Sequence, residues 1–262
     1  RTTAMLSVVD NIKPGQPVVL ELSSWQLEGL SAGKAAPHIA VVTNLYPDHL
    51  NRYASLAAYY QSKEEIFHYQ TPADYLILNA DQEPLRAWEK KARSRVMFFG
   101  TQEHGRYGIY LKHGRVFWRQ HAQDQEIIKI SDINLAGRHN LTNALAAITV
   151  ARLYNVGLAD IKKVLASPPA LSGRQEIIRE IAGLKFINDT TATTPEAALA
   201  GLERFGAGKK NIILIGGGAD KNLDYNEWAQ LGCTGWAYDD VLPYFKRSEK
   251  NQNGASEFHG AS

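Results

Sequence analysis

The chain has 262 residues, 44% of them apolar, with 29 Lys and Arg against 27 Asp and Glu. That is enough to fill one large core or two ordinary ones, and a net charge of +2 gives no argument for nucleic acid or for a membrane surface. A single cysteine, Cys233, excludes an internal disulfide and a cysteine-built zinc site and fits a reducing cytoplasm.

Residues 1–16 read as a short helix, LSVVDNI, stopped by Pro14 and Gly15. The start, RTTAMLSVVD, lacks a signal peptide and an initiator Met, so Arg1 reads as the edge of a fragment, and no run is long enough to span a membrane. PVVLELS (17–23) reads as a buried strand, which would make Glu21 a costly carboxylate unless a cation such as magnesium pairs it.

HIAVV (38–42) is a second buried strand, and NLYPDHLNRYASLAAYYQSKEEIF follows at its carboxyl end, where open α/β sheets place their chemistry. Pro47 ends the strand, His49 offers an imidazole to a metal, and Ser55 caps a helix through His68 that carries Lys63. Read without chemistry, Asp48 and His49 are turn residues and Lys63 is a solvated helix lysine.

ADYLILNADQEPL and RVMFFG give two further strands, and GIYLKHGRVFWRQ alternates as a hairpin turned at His113 and Gly114. AGRHNLTNALAAITVARLY starts a helix with Leu141, Leu145 and Ile148 in one stripe. Asn140 and Asn143 share a face near its start and could hold a purine or ribose together; an N-cap role would explain one of them but not both. A helix through IKKVLAS leads to SPPALSGR, a domain boundary by composition. Two strands turned at Ala182 and Gly183 come next, then a helix opened by Thr194 and Pro195, so that Asp189 and several threonines precede a helix N-terminus. NIILIGGGADKNLDY reads as one more strand with a glycine loop.

Taken in order, ELSSWQLE, TNLYPDHLNRY with a lysine on the next helix, AGRHNLTNALAA, and INDTTATTPEAALAGL with GGGADKNLDY resemble the Mur ligases. The likeness is strongest to the branch that adds D-glutamate to UDP-N-acetylmuramoyl-L-alanine in peptidoglycan synthesis. The resemblance implies an α/β fold: a partial central ATP-binding domain over 1–170 and a partial Rossmann-like C-terminal domain over 171–224. It also implies ATP and magnesium, a monomer in the cytoplasm, and no nucleic-acid or membrane partner. Glu21, His49 and a carbamylated Lys63 would hold metal, and Ser23, Gln26 and Thr191 would face substrate. Asn140, Asn143, Arg174 and Asp189 would hold nucleotide, and Lys221 would meet the incoming amino acid, with His49, Lys63 and Lys221 forming the catalytic set. His139 lies in the motif without a catalytic role. Two positions depart from the family pattern: Gly173 stands where a histidine precedes the arginine, and Thr191 where many members have lysine.

No G-x-x-x-x-G-K-[ST] phosphate loop occurs in the chain, so little or no turnover is expected of it alone. After about Asn222 the voice changes: GWAYDDVLPYFKRSE resembles the glucose-methanol-choline oxidoreductases, an FAD-dependent family, and 225–262 reads as a foreign, poorly packed tail with a seam at 222–228. In that tail Asp239 and Asp240 are helix-start carboxylates and His259 a loop residue without a partner. The competing readings are an FAD oxidoreductase fragment and a non-catalytic nucleotide-binding remnant.

Overall fold

The computed structural model describes residues 9–48, 52–135, 137–168, 171–193, 195–206, 211–217 and 237–248, with a few single positions between the last two. His49, Thr194, Lys221, Trp236 and His259 lie outside the described residues.

Six strands form one sheet in sequence order: β1 (Ile39–Val42), β2 (Tyr75–Asn79), β3 (Arg95–Gly100), β4 (Gly108–Lys112), β5 (Arg115–Gln120) and β6 (Gln123–Lys129). The first four run parallel and the last three form an antiparallel meander sharing β4. Parallel neighbours need a crossover, and α2 (Leu56–His68) and α3 (Glu83–Ala87) supply two of them. Between β4 and β5 the left-handed His113 (φ 49°) and Gly114 (φ 72°) make the two-residue turn that suits strand twist.

The sheet is covered on both faces, so its central strands can be apolar throughout. Side chains alternate across the pleat. Ile77, Met97, Phe99 and Ile109 face a core closed by Leu145 and Ile148 of α4 (Arg138–Leu153) and by Ile161 and Leu165 of α5 (Leu158–Ala166). Leu76, Leu78 and Phe98 face the opposite core, closed by Phe67, Leu85 and Trp88. Each fully buried aliphatic or aromatic side chain contributes roughly 1.5–3 kcal/mol.

The β3 to β4 crossover has no helix. Residues 101–107 return only far enough for Gly108 to pair with Phe98. Gly108 has φ 128°, and a Cβ there would lie 1.8 Å from the Phe98 carbonyl oxygen. His104 sits under this loop. Its Nε2 donates to the Ile109 carbonyl at 3.0 Å while Nδ1 accepts from the Arg106 amide at 3.3 Å, and burial holds its pKa below the usual histidine value.

Beyond the sheet lie α1 (Ser24–Gly33), which packs on α2, and a separate hairpin, β7 (Glu176–Ile181) with β8 (Leu184–Asn188), turned at Ala182 and Gly183. Two further helices are α6 (Pro195–Gly206) and α7 (Tyr238–Ser248), the latter with Pro243 inside it.

Three sequence expectations fail. Residues 9–11 form a single 3₁₀ turn rather than the end of a helix. PVVLELS is no strand: Val18, Val19 and Leu20 are 52%, 92% and 51% exposed. NIILIGG is likewise unpaired, with Ile213 and Ile215 about nine-tenths exposed. The physical reason is shared. An apolar, β-branched run becomes a strand only where an open sheet edge accepts its backbone, and neither run is paired to one among the described residues.

Candidate functional site

Two clusters gather the expected site residues. The first is the loop after β1. Its amide and carbonyl groups are held from β2 and the turn beyond it: Asn79 Nδ2 donates to the Thr43 carbonyl at 2.9 Å, and the Gln82 amide takes the Leu45 N–H at 2.7 Å and returns a bond to the Leu45 carbonyl at 3.3 Å. Downstream, Tyr53 donates to Glu28 at 2.7 Å and Arg52 donates to it at 3.0 Å, with the Arg52 guanidinium over the Trp25 ring. These bonds, that of Tyr53 first, hold the Glu28 carboxyl below its usual pKa. The loop bearing Asp48 is thus tied at both ends.

Helix α2 delivers Lys63 toward this loop. Ser55 caps it, accepting the Ala58 N–H at 3.1 Å, as its sequence predicts. The Lys63 ammonium lies 5.0 Å from the centre of the Tyr59 ring. Burial pushes its pKa down and the Asp48 carboxylate partly offsets that. The Tyr59 hydroxyl is pushed up to about 12, by burial first and then by Asp48. Lys63 is therefore no freely solvated helix lysine: it is half-buried, near a carboxylate, and easier to deprotonate than an ordinary lysine.

Glu21 requires correction in its premise. It is exposed, so no burial cost demands a counter-ion there. Among the described residues no three His, Cys, Asp or Glu side chains gather as a metal site. Glu21 leaves an exposed carboxylate there, the kind of oxygen that a hard cation such as magnesium can take as one of few protein ligands while drawing the rest from phosphate and water. Ser23 and Gln26 are committed to each other. The Gln26 side-chain carbonyl accepts the Ser23 N–H at 2.8 Å and the Ser23 hydroxyl at 3.0 Å, and Ser23 Oγ accepts the Gln26 N–H at 3.4 Å, which is a reciprocal cap on α1.

The second cluster surrounds the start of α4. Its N-cap is Gly137, so neither asparagine caps it: Asn140 is half-buried and Asn143 exposed, one turn apart on the same face. Arg174 is exposed at the start of the hairpin. Asp189, at the end of β8, accepts the Gln175 N–H at 3.1 Å. The departures from the family pattern acquire reasons here. Gly173 has φ 77°, and its carbonyl accepts both the Thr191 N–H at 3.1 Å and the Thr191 hydroxyl at 2.8 Å, so Thr191 braces the Arg174 turn.

Sequence reasoning missed Asn79, Gln82 and Gln175. Asn79 alone carried a signal, since an asparagine ending an otherwise largely apolar strand must find partners for its amide, though its sequence does not say which.

The Mur ligase middle domain matches residues 4–151, more than half of the chain. The chain belongs to the Mur ligase family. Among its relatives, the UDP-N-acetylmuramoylalanine–D-glutamate ligase of Symbiobacterium thermophilum is 38% identical over 229 residues, covering 87% of this chain and 49% of that protein. The ligase of the same name from Acetivibrio thermocellus is 39% identical over 222 residues, covering 85% and 46%. The chain spans about half the length of the curated Mur ligase relatives it matches. A crystal structure of MurF from Acinetobacter baumannii superposes with a TM-score of 0.51 at 23% identity, over 63% of this chain and 36% of that one, a likeness of fold. The α/β sheet with a parallel first half is thus the Mur ligase central fold.

Proposed function

We propose that the chain is the larger part of the ATP-binding domain, with part of the C-terminal domain, of a cytoplasmic, monomeric ligase of the MurD type. The whole enzyme would add D-glutamate to UDP-N-acetylmuramoyl-L-alanine. The observation that carries this reading is likeness to ligases of that name across 87% of the chain. ATP would phosphorylate the substrate carboxylate, releasing ADP; the amine of D-glutamate would then attack the acyl carbon, form the amide, expel phosphate and lose its proton.

Magnesium, when bound, would neutralise charge on the transferring phosphoryl group. Glu21, His49 and a carbamylated Lys63 are the proposed holders. The depressed Lys63 pKa supports the last, because only a neutral amine attacks carbon dioxide to form a carbamate. Asn140 and Asn143 would take the purine or ribose, Arg174 the phosphates through its planar fork, and Asp189 the ribose or metal shell. Lys221 would receive the amino acid. Ser23 and Gln26 can face the muramoyl substrate only through capacity left over from their mutual bonds, and Thr191 only beside its bracing role. The proposed boundaries are 1–170, 171–224 and 225–262.

Without a Walker-type loop in its sequence, the chain by itself is proposed to bind nucleotide with little or no turnover. Calorimetry with ADP and phosphate release with ATP, UDP-N-acetylmuramoyl-L-alanine and D-glutamate test this. Binding without release is expected; robust phosphate release would overturn the loss of turnover, and absence of binding would overturn the nucleotide reading. The flavin reading rests on residues 225–262 alone, and a flavin absorbance in purified protein would favour it.

A further inference from the structure

Gln175 is 8% exposed, yet its backbone is left-handed at φ 51°, an uncommon setting for a residue with a side chain. Its amide joins three elements. Arg204 on α6 donates to Gln175 Oε1 at 2.8 Å. Because a guanidinium can only donate, that bond fixes which end of the amide is oxygen. Gln175 Nε2 then faces His139 Nε2 at 3.2 Å. An amide nitrogen can only donate, so His139 must accept there and carry its proton on Nδ1.

Asp189 Oδ1 takes the Gln175 backbone N–H, and α6 approaches so closely at Gly201 that a Cβ would stand 2.9 Å from Asp189 Oδ2 and 3.8 Å from Gln175 Nε2. On the other side, Gly137 leaves room for the His139 ring, which a Cβ would meet at 2.7 Å. Three well-separated stretches therefore converge on one side-chain amide.

We propose that Gln175 is a positioning residue that locks the Arg174–Asp189 edge of the hairpin onto the first turn of α4 through neutral His139. The proposal rests on the nucleotide-binding reading of Asn140, Asn143, Arg174 and Asp189. Its chemical content is a fixed register between the groups proposed for the base and those proposed for the phosphates and ribose. The groups facing His139 are Arg204 and Glu203 of α6 and Asp189 of the β8 loop. Burial first, then the Arg204 charge, keep the ring neutral, against the opposing pull of Asp189 and Glu203.

The test uses the full chain with isotope-labelled histidine, read by long-range nitrogen–proton NMR, alongside ADP titration. Wild type should show His139 neutral at pH 7 with a protonated Nδ1 and a bare Nε2. Gln175→Met and Gln175→Gly should both release that tautomer preference, raise the His139 midpoint and weaken ADP binding about tenfold. The glycine variant relieves the backbone, so its melting temperature separates lost coupling from lost folding. Unchanged His139 signals in both variants would overturn the link, and changed signals with unchanged ADP affinity would overturn the positioning role. A wild type with the Nδ1–H ring but no ADP binding would sink the nucleotide reading instead, leaving the Gln175–His139 contact established.

Discussion

The Asn79 side chain donates to the Thr43 carbonyl at 2.9 Å and accepts the Asp81 N–H at 2.9 Å, so one buried amide fixes both the end of its own strand and the loop leaving the neighbouring one. Asn79→Leu removes both bonds and leaves the Thr43 carbonyl without this donor. A destabilisation of about 1–3 kcal/mol is expected in urea unfolding, as for buried groups deprived of their partner. Asn79→Asp should fare no better at neutral pH, since a carboxylate cannot donate.

Lys63 yields a pH prediction. Its folded pKa is depressed, so between that value and the ordinary lysine value the unfolded chain binds more protons than the folded one. Stability should therefore rise with pH across that alkaline window. Lys63→Met should flatten the rise. Labelled bicarbonate should add a carbamate carbon signal to wild type and none to Lys63→Arg; an identical spectrum for both would remove the carbamate from the proposal.

The acid side has the same sign in a different window, stability again rising with pH. The Arg119 guanidinium pairs with Asp124 at 2.7 Å and holds its carboxyl down at about 2, against an ordinary value of 3.8. The pair's contribution is present above the ordinary value and is lost as pH falls through the folded one. Asp124→Asn should remove that part of the acid sensitivity while lowering stability at pH 7, and a pH series of thermal melts would check both.

Ser23→Ala should cost about 1 kcal/mol through loss of the cap on α1, and Ser23→Asp should restore most of it. If Ser23→Ala leaves thermal stability untouched, the capping account of the Ser23–Gln26 pair is wrong.

Gly108→Ala places a methyl group against the Phe98 carbonyl in a backbone that alanine rarely adopts. The expected loss is about 3 kcal/mol or more, among the larger single-site effects. Gly105→Ala, in a left-handed turn of the same crossover with open space around the added carbon, should cost less.

How much was legible in the sequence follows from which interactions are local. Strands β1 to β5 could be read because their alternation or apolar runs match a covered sheet, and α2 and both hairpin turns because Ser55, Gly114 and Gly183 carry their own geometry. PVVLELS and NIILIGG misled because strand propensity describes a segment while pairing requires a second one. The Asp48 loop, Lys63 and the α4 asparagines were legible as candidates from residue type and motif order. Their supports were not: Asn79 reaches Thr43 across 36 residues of chain and Gln175 reaches His139 across another 36. No local pattern encodes such partners.

The sheet's change of strand direction at β4 also divides its routes of assembly. Strands β4 to β6 close through tight turns, whereas β1 to β3 must wait for α2 and α3 to fold back. Short-range contacts form early and long-range ones late. Assembly should then run against the order of synthesis, with the meander as the template on which the parallel half, and with it the Asp48 loop, is laid down last.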